Sequence, residues 1–111
     1  MFVSHRDEIE KKQIADKVIK QILIGPDQGW EDYVMRLFTL ERNGKAPHHS
    51  HPWQHVIFAV EGEGNLFMDG KVYPLTSGSV AYVPEEIDHQ ISNAGEKQFV
   101  FICIVPKRGD A

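Results

Sequence analysis

From Tyr33 onward the chain is written in short apolar runs separated by turn residues. Tyr33–Leu40 is the first run, closed by Asn43-Gly44, and residues 54–60 follow, closed by Glu61-Gly62. Residues 65–68 and 71–75 flank Asp69-Gly70, a dipeptide that tolerates φ > 0 at both turn positions and is the strongest hairpin signal in the chain. Thr76-Ser77-Gly78 turns into 79–83, which Pro84 stops. Residues 89–92 form a short run, 93–96 turn, and 97–105 make the last run, stopped by Pro106. Runs this short, with turns this regular and no convincing helix between them, predict an all-β barrel or sandwich. In the last run Phe99, Phe101, Cys103 and Val105 alternate with Val100, Ile102 and Ile104. Both faces are apolar, so both need a cover, and a second copy of the chain is the expected source: a homodimer.

The N-terminal third carries two patterns. Ile14, Val18 and Ile22 fall at helical i, i+4, i+8 spacing, yet Val18–Ile24 holds four β-branched residues and runs into Gly25-Pro26. The second pattern predicts a strand over 17–24 that covers a barrel edge, within the chain or donated to a partner. Residues 7–13 read as a loop or a single helical turn.

Composition narrows the function more than the fold. The 111 residues predict one domain over 1–111, with a barrel core over 17–106. At 41% apolar and 25% charged the chain is an ordinary globular mix. The net charge of −4, with Lys107-Arg108 as the longest basic run, argues against nucleic acid as a partner. No apolar run reaches the ~18 residues that span a bilayer, so no membrane partner is expected. An N-terminus without a secretion signal and a single cysteine, Cys103, predict a cytoplasmic location.

The chemistry-bearing feature is histidine. Four of the six histidines, His48, His49, His51 and His55, crowd into eight residues. In an extended segment i and i+2 share a side, so His49 and His51 project together and His48 faces away. Pro52-Trp53 interrupts the run, and a bend there brings His55 round to the same interior. His89 follows the Pro84 stop, 34 positions beyond His55. Imidazole is the commonest metal ligand and suits Mn, Fe, Co, Ni, Cu and Zn. Spacing alone leaves two readings open, a metal site or a solvated histidine-rich loop. His5 lies near the N-terminus, away from the cluster, and is expected to be silent.

These residues resemble the cupin family. His49-Ser50-His51-Pro52-Trp53-Gln54-His55, followed by Gly62, is similar to the first cupin motif: a His-x-His pair, a third ligand four residues on, then a glycine seven further. Gly44 stands one residue closer than the usual upstream glycine. Gly78, Pro84, His89 and Asn93 resemble the second motif at its intervals. The motifs span 44–93. The resemblance implies a two-sheet jelly-roll barrel holding one divalent transition metal near its mouth, with His49, His51, His55 and His89 as ligands. It departs from the common pattern at His55, where glutamate is usual, and so looks like the small four-histidine manganese-binding cupins. Losing the carboxylate leaves a more positive ion, a stronger Lewis acid that attracts oxygen-rich ligands and holds its +2 state. Mn or Fe with four protein ligands keeps two open positions, whereas the same four would close a tetrahedral Zn site.

Cupins host several activities, so the likeness leaves three: a metal-dependent oxidoreductase using dioxygen or peroxide on a small organic substrate, a metal-dependent isomerase or lyase, and a non-catalytic small-molecule binding or sensing module. Phe101, Cys103, Ile57, Ile91 and Arg36 are the expected pocket-lining residues. Cys103 reads equally as a pocket thiol open to peroxide or as a small core hydrophobe. Tyr82, on an apolar strand, is expected in the core. Glu61 lies roughly 20 Å along the strand from His55, too far to serve as a base, and Glu85, Glu86 and Asp88 read as solvated turn residues.

Overall fold

The computed structural model of the chain describes residues 1–47 and 50–110. Nine strands run in order: β1 (Lys12–Ala15), β2 (Val18–Ile24), β3 (Tyr33–Leu40), β4 (His55–Glu61), β5 (Glu63–Met68), β6 (Lys71–Thr76), β7 (Val80–Val83), β8 (His89–Asn93) and β9 (Phe99–Pro106). Among the described residues the only helical pieces are 3-10 turns at Arg6–Glu8, Pro26–Gln28 and Lys107–Asp110. The strands form two antiparallel sheets, a six-stranded one in the order β1-β2-β3-β9-β4-β7 and a three-stranded one in the order β6-β5-β8. The fold is the all-β barrel the turn pattern predicts, with the two sheets of a jelly roll that the resemblance implies.

Inward positions follow strand parity. Val34, Arg36, Phe38 and Leu40 of β3 are buried on one face, and their register partners on β9 are Val105, Cys103, Phe101 and Phe99, also buried. Ile57 and Ala59 continue the row on β4 beside Cys103 and Phe101. The small sheet answers with Leu66, Leu75 and Ile91, closing a single core. At one end Phe99 is fully buried and its ring fills the place a side chain at 64 would take, since a Cβ on Gly64 would sit 2.4 Å from it. Asp69 (φ 51) and Gly70 (φ 78) make the tight β5–β6 hairpin, both in the left-handed region.

Three local expectations need correction. The segment over 7–13 is not simply a loop or a turn: β1 pairs with β2 through a turn that puts Lys17 at φ 61, and the helical spacing of Ile14, Val18 and Ile22 is a coincidence of two strands. Ile14 and Ile22 are half-exposed while Val18 is fully buried, as a hairpin over a barrel edge requires. His51 does not sit in a strand: residues 50–54 are a loop leading into β4. The strand-parity argument for the histidine pair therefore fails at its second member, and Pro52, which lacks the amide a ladder needs, accounts for the break. Tyr82 is 58% exposed, on the outer face of β7, because Val83 and not Tyr82 takes the inward parity beside His55.

Candidate metal centre

Three histidines come together at one end of the barrel from three separate segments. His55 opens β4 on the large sheet and is buried; His89 opens β8 on the small sheet and is buried; His51 stands in the loop that leads into β4. Their ring centroids lie 4.6 Å (His55–His89), 5.5 Å (His51–His55) and 5.9 Å (His51–His89) apart. The loop is stitched to the segment before β8: the Glu86 amide donates to the His51 carbonyl at 2.6 Å, and the Ser50 hydroxyl donates to the Glu86 carbonyl at 3.3 Å. The Trp53 ring lies flat on the His51 ring at 4.6 Å and 10°. His48 and His49 lie outside the described residues, so the fourth expected ligand has no position to set beside these three.

Each buried imidazole has its second nitrogen engaged. His89 Nδ1 stands 2.9 Å from the Ile87 carbonyl, which can only accept, so Nδ1 is the donor there and Nε2 is the nitrogen left to bind a ligand. His55 Nδ1 faces Cys103 Sγ at 3.5 Å. The same sulfur receives Arg36 Nη2 at 3.1 Å, and Arg36 Nε reaches the Cys103 carbonyl at 3.4 Å. Burial pushes the Cys103 thiol up from its ordinary pKa, with the Arg36 charge and hydrogen bond partly offsetting it. The sulfur is therefore a protonated thiol at neutral pH, which removes the ground for selective oxidation as a thiolate.

The histidines form one wall of a cavity of about 280 Å³. Arg36, Ile57, Ile91, Phe101 and Cys103 line it, so the structure brings the expected pocket residues to one place. Sequence reasoning passed over Lys20, Phe38, Trp53 and Gly109, which line it too. Phe38 and Lys20 were legible in principle, since both share the inward parity of their strands with Arg36 and Val18. No Asp or Glu lines the cavity among the described residues. Glu85, Glu86 and Asp88 are exposed, and His5 is exposed near the start of the chain.

Among the described residues no group of three or more His, Cys, Asp or Glu side chains is arranged to hold a metal ion. The donor chemistry nevertheless fits a metal. Two imidazoles bound to one ion at ~2.1 Å and separated by 90–130° place their centroids roughly 4.5–6 Å apart, the range the three rings occupy. A ring nitrogen anchored on a carbonyl or a neighbouring polar group is the usual support for such ligands, and Nδ1 of His89 and of His55 each has one.

The motif residues away from the histidines hold the frame. Asn93 Nδ2 donates to the carbonyls of Leu40 (3.0 Å) and Lys97 (2.8 Å), while its Oδ1 accepts from the Gly95 amide (2.8 Å). Gly62, at φ 84, passes so close to the Gln98 carbonyl that a Cβ would lie 2.2 Å from it.

Comparison with known proteins agrees with this architecture. The family model described as the cupin domain matches residues 36–105. The polyketide cyclase RemF from Streptomyces resistomycificus superposes with a TM-score of 0.88 at 23% identity, over 96% of this chain and 79% of that one. A predicted oxalate decarboxylase from Thermotoga maritima superposes at 0.86 and 19% identity, over 95% and 98%. At these identities the likeness is one of fold. The glucose-6-phosphate isomerase of Thermococcus onnurineus (strain NA1) is 30% identical over 56 residues, 46% of this chain but only 30% of that protein.

Proposed function

This chain belongs to the cupin family, and from that premise we propose that it is a metal-dependent oxidoreductase acting on a small organic substrate with dioxygen or peroxide. One observation carries the reading: three imidazoles converge on a cavity whose described lining residues include no Asp or Glu, the carboxylate beside it, Asp110, being paired with Lys20 and Arg36. A site whose neighbouring carboxylate is committed to two cations is poor in free general acids and bases, which disfavours chemistry built on proton transfer alone.

His51, His55, His89 and His49 would hold one divalent ion, Mn or Fe in preference to Ni, Cu, Co or Zn. When bound, such an ion supplies one-electron chemistry and two open positions for substrate and oxidant. The protein's own part is positional. Ile87 fixes the His89 tautomer, Cys103 and Arg36 steady His55, and Trp53 backs His51. Phe101, Ile57 and Ile91 exclude water from the reacting end.

A second reading, an isomerase or lyase, draws on the likeness to the polyketide cyclase and to the glucose-6-phosphate isomerase. It would use the ion as a Lewis acid and consume no oxidant. A binding or sensing module would turn over nothing. The test is metal content after purification without added metal, followed by oxygen-electrode and peroxide-consumption assays over a panel of small apolar substrates. One ion per chain with substrate-dependent oxidant loss supports the oxidoreductase; bound metal with substrate conversion and no oxidant loss supports the lyase.

The homodimer belongs to the same reading. Val56 and Phe58 on β4, Val80 and Tyr82 on β7 are exposed and stand in register with one another and with Ile102 and Ile104 on β9. That contiguous apolar face suits a second copy. Light scattering at low micromolar concentration should give twice the 12.7 kDa chain mass, and Phe58→Asp should return it to one. The single cysteine, free and buried, suits a reducing cytoplasm.

A further inference from the structure

The cavity is lined by two cationic side chains besides its histidines. Lys20 and Arg36 both line it, with side chains only 19% and 10% exposed. Their strand positions put them there: Lys20 pairs with Phe38 across β2–β3, and Arg36 lies in the next inward row beside Cys103. Two cations drawn this far from water need an anion. The described carboxylate that meets both is Asp110, whose Oδ1 lies 2.7 Å from Lys20 Nζ and 3.6 Å from Arg36 Nη1.

Asp110 is not part of the barrel. It ends the 3-10 turn that follows β9, and Gly109 of that turn lines the cavity. The Lys107 amide is held by the Asp32 carbonyl at 2.9 Å and Arg108 Nη2 by the Pro52 carbonyl at 3.3 Å. Beyond them Gly109 runs against the Trp53 indole, where a Cβ at 109 would meet Nε1 at 2.7 Å. The seating is imperfect on both sides of Gly109. Trp53 Nε1 and Asp110 Oδ1 are buried without a hydrogen bond of good geometry, so the Lys20 contact is an ion pair by distance and not by alignment. Buried polar atoms left in this state are uncommon.

We propose that Lys20 and Arg36 form an oxyanion subsite for the carboxylate of a small, otherwise apolar organic acid, and that Asp110 is the internal counter-ion which the ligand's carboxylate replaces. Arg36 has already committed Nη2 and Nε to Cys103, leaving the Nη1 edge, and Lys20 adds a point charge. One exposed guanidinium edge and one ammonium match a monoanionic carboxylate better than a phosphate dianion. The apolar walls beyond them, Phe38, Phe101, Ile57 and Ile91, take the hydrocarbon part. The subsite goes beyond the proposed oxidoreductase and does not depend on a bound metal.

Benzoate, benzamide and inorganic phosphate are the probes, titrated by calorimetry into chelator-dialysed and manganese-loaded protein. ¹H–¹⁵N spectra of the same samples follow the Trp53 indole and the Gly109 amide. Benzoate should bind both forms, shift both signals, and bind tenfold or more tighter to Asp110→Asn, in which the competitor is gone. Lys20→Met should weaken benzoate tenfold or more and leave benzamide unchanged. Arg36→Met should do the same, and Lys20→Met keeps the test decisive if the buried Arg36 variant fails to fold. Asp110→Asn should also melt at a lower temperature and regain the loss with benzoate. Benzoate binding that needs manganese and ignores Lys20 would overturn the proposal by putting the carboxylate on the metal. Tighter binding of phosphate than of benzoate would overturn the carboxylate assignment. Unchanged or weaker benzoate affinity in Asp110→Asn would overturn the role of Asp110.

Discussion

The two ends of the barrel are built from the same strands and do different work. On β9 the inward row runs Phe99, Phe101, Cys103, Val105, and on β3 it runs Leu40, Phe38, Arg36, Val34. At the Phe99–Leu40 end every inward side chain is apolar, and Phe99 and Phe101 stack at 5.5 Å, Phe38 and Phe101 at 5.3 Å. Two residues on from Phe38 and Phe101 the same rows turn to Arg36 and Cys103, and there they border a cavity with the histidines on one wall before Val34 and Val105 are buried again. A barrel this small must close one end tightly to leave the other loose, because its single core supplies most of the stability. Changes at the closed end should therefore act on stability, and changes at the open end on binding.

Phe99→Ala should show the largest effect. A fully buried ring removed from the closed end costs about 3–5 kcal/mol through lost burial and the cavity left behind, a fall in Tm of roughly 10–20 °C. Metal affinity of the protein that remains folded should be nearly unchanged. Calorimetric melting alongside metal titration checks both halves. A metal site that loosened in step with the core would dissolve the distinction between the ends.

His89→Ala tests the opposite end. Metal affinity should drop by about 100-fold or more, roughly 3 kcal/mol of binding, while the metal-free Tm moves only a few degrees. Undiminished stoichiometric binding would falsify the four-histidine centre outright. His55→Glu is a gentler probe of the same site. It restores the carboxylate common in the family at a position whose Cα already faces the cavity, so binding should persist within about tenfold with an altered metal preference. Lost binding would mean that position 55 does not address the metal.

The difference between the ends also governs what the sequence could tell. Phe99, Phe101, Cys103 and Val105 are legible as one face because strand parity groups them, and placing Phe101 and Cys103 in the pocket turns that face inward. The Asp69-Gly70 hairpin is legible for the same local reason. The open end is legible only in pieces. His55 and His89 open strands and follow the rule, whereas His51 stands in a loop where parity has no meaning. Trp53 and Gly109 reach the cavity through loop geometry that no periodicity encodes. Asp110 reaches Lys20 across 90 residues of chain, and nothing in either neighbourhood announces the pairing. Tyr82 shows the converse hazard: an apolar run gives a strand but not the face each residue takes unless one inward residue is known.

The smallest effect concerns Cys103, which stands where the rows change character. Its sulfur lies between Arg36 Nη2 at 3.1 Å and His55 Nδ1 at 3.5 Å, inside the barrel and beside the cavity. A cation that close favours a thiolate, and burial opposes it; burial is the larger influence, so the thiol's pKa is raised. Since the thiolate is the reactive form, a raised pKa leaves less of it at neutral pH. Alkylation by iodoacetamide and oxidation by brief peroxide, followed by mass spectrometry of Cys103, should both be slower in the folded protein than in the denatured chain. Alkylation should speed up as pH rises above the ordinary thiol range. Peroxide treatment with and without bound metal should leave Cys103 equally protected if the sulfur serves only to steady His55 and Arg36. Faster oxidation in the metal-loaded sample alone would show instead that the open end delivers oxidant to the sulfur, and would move Cys103 from the frame of the site into its chemistry.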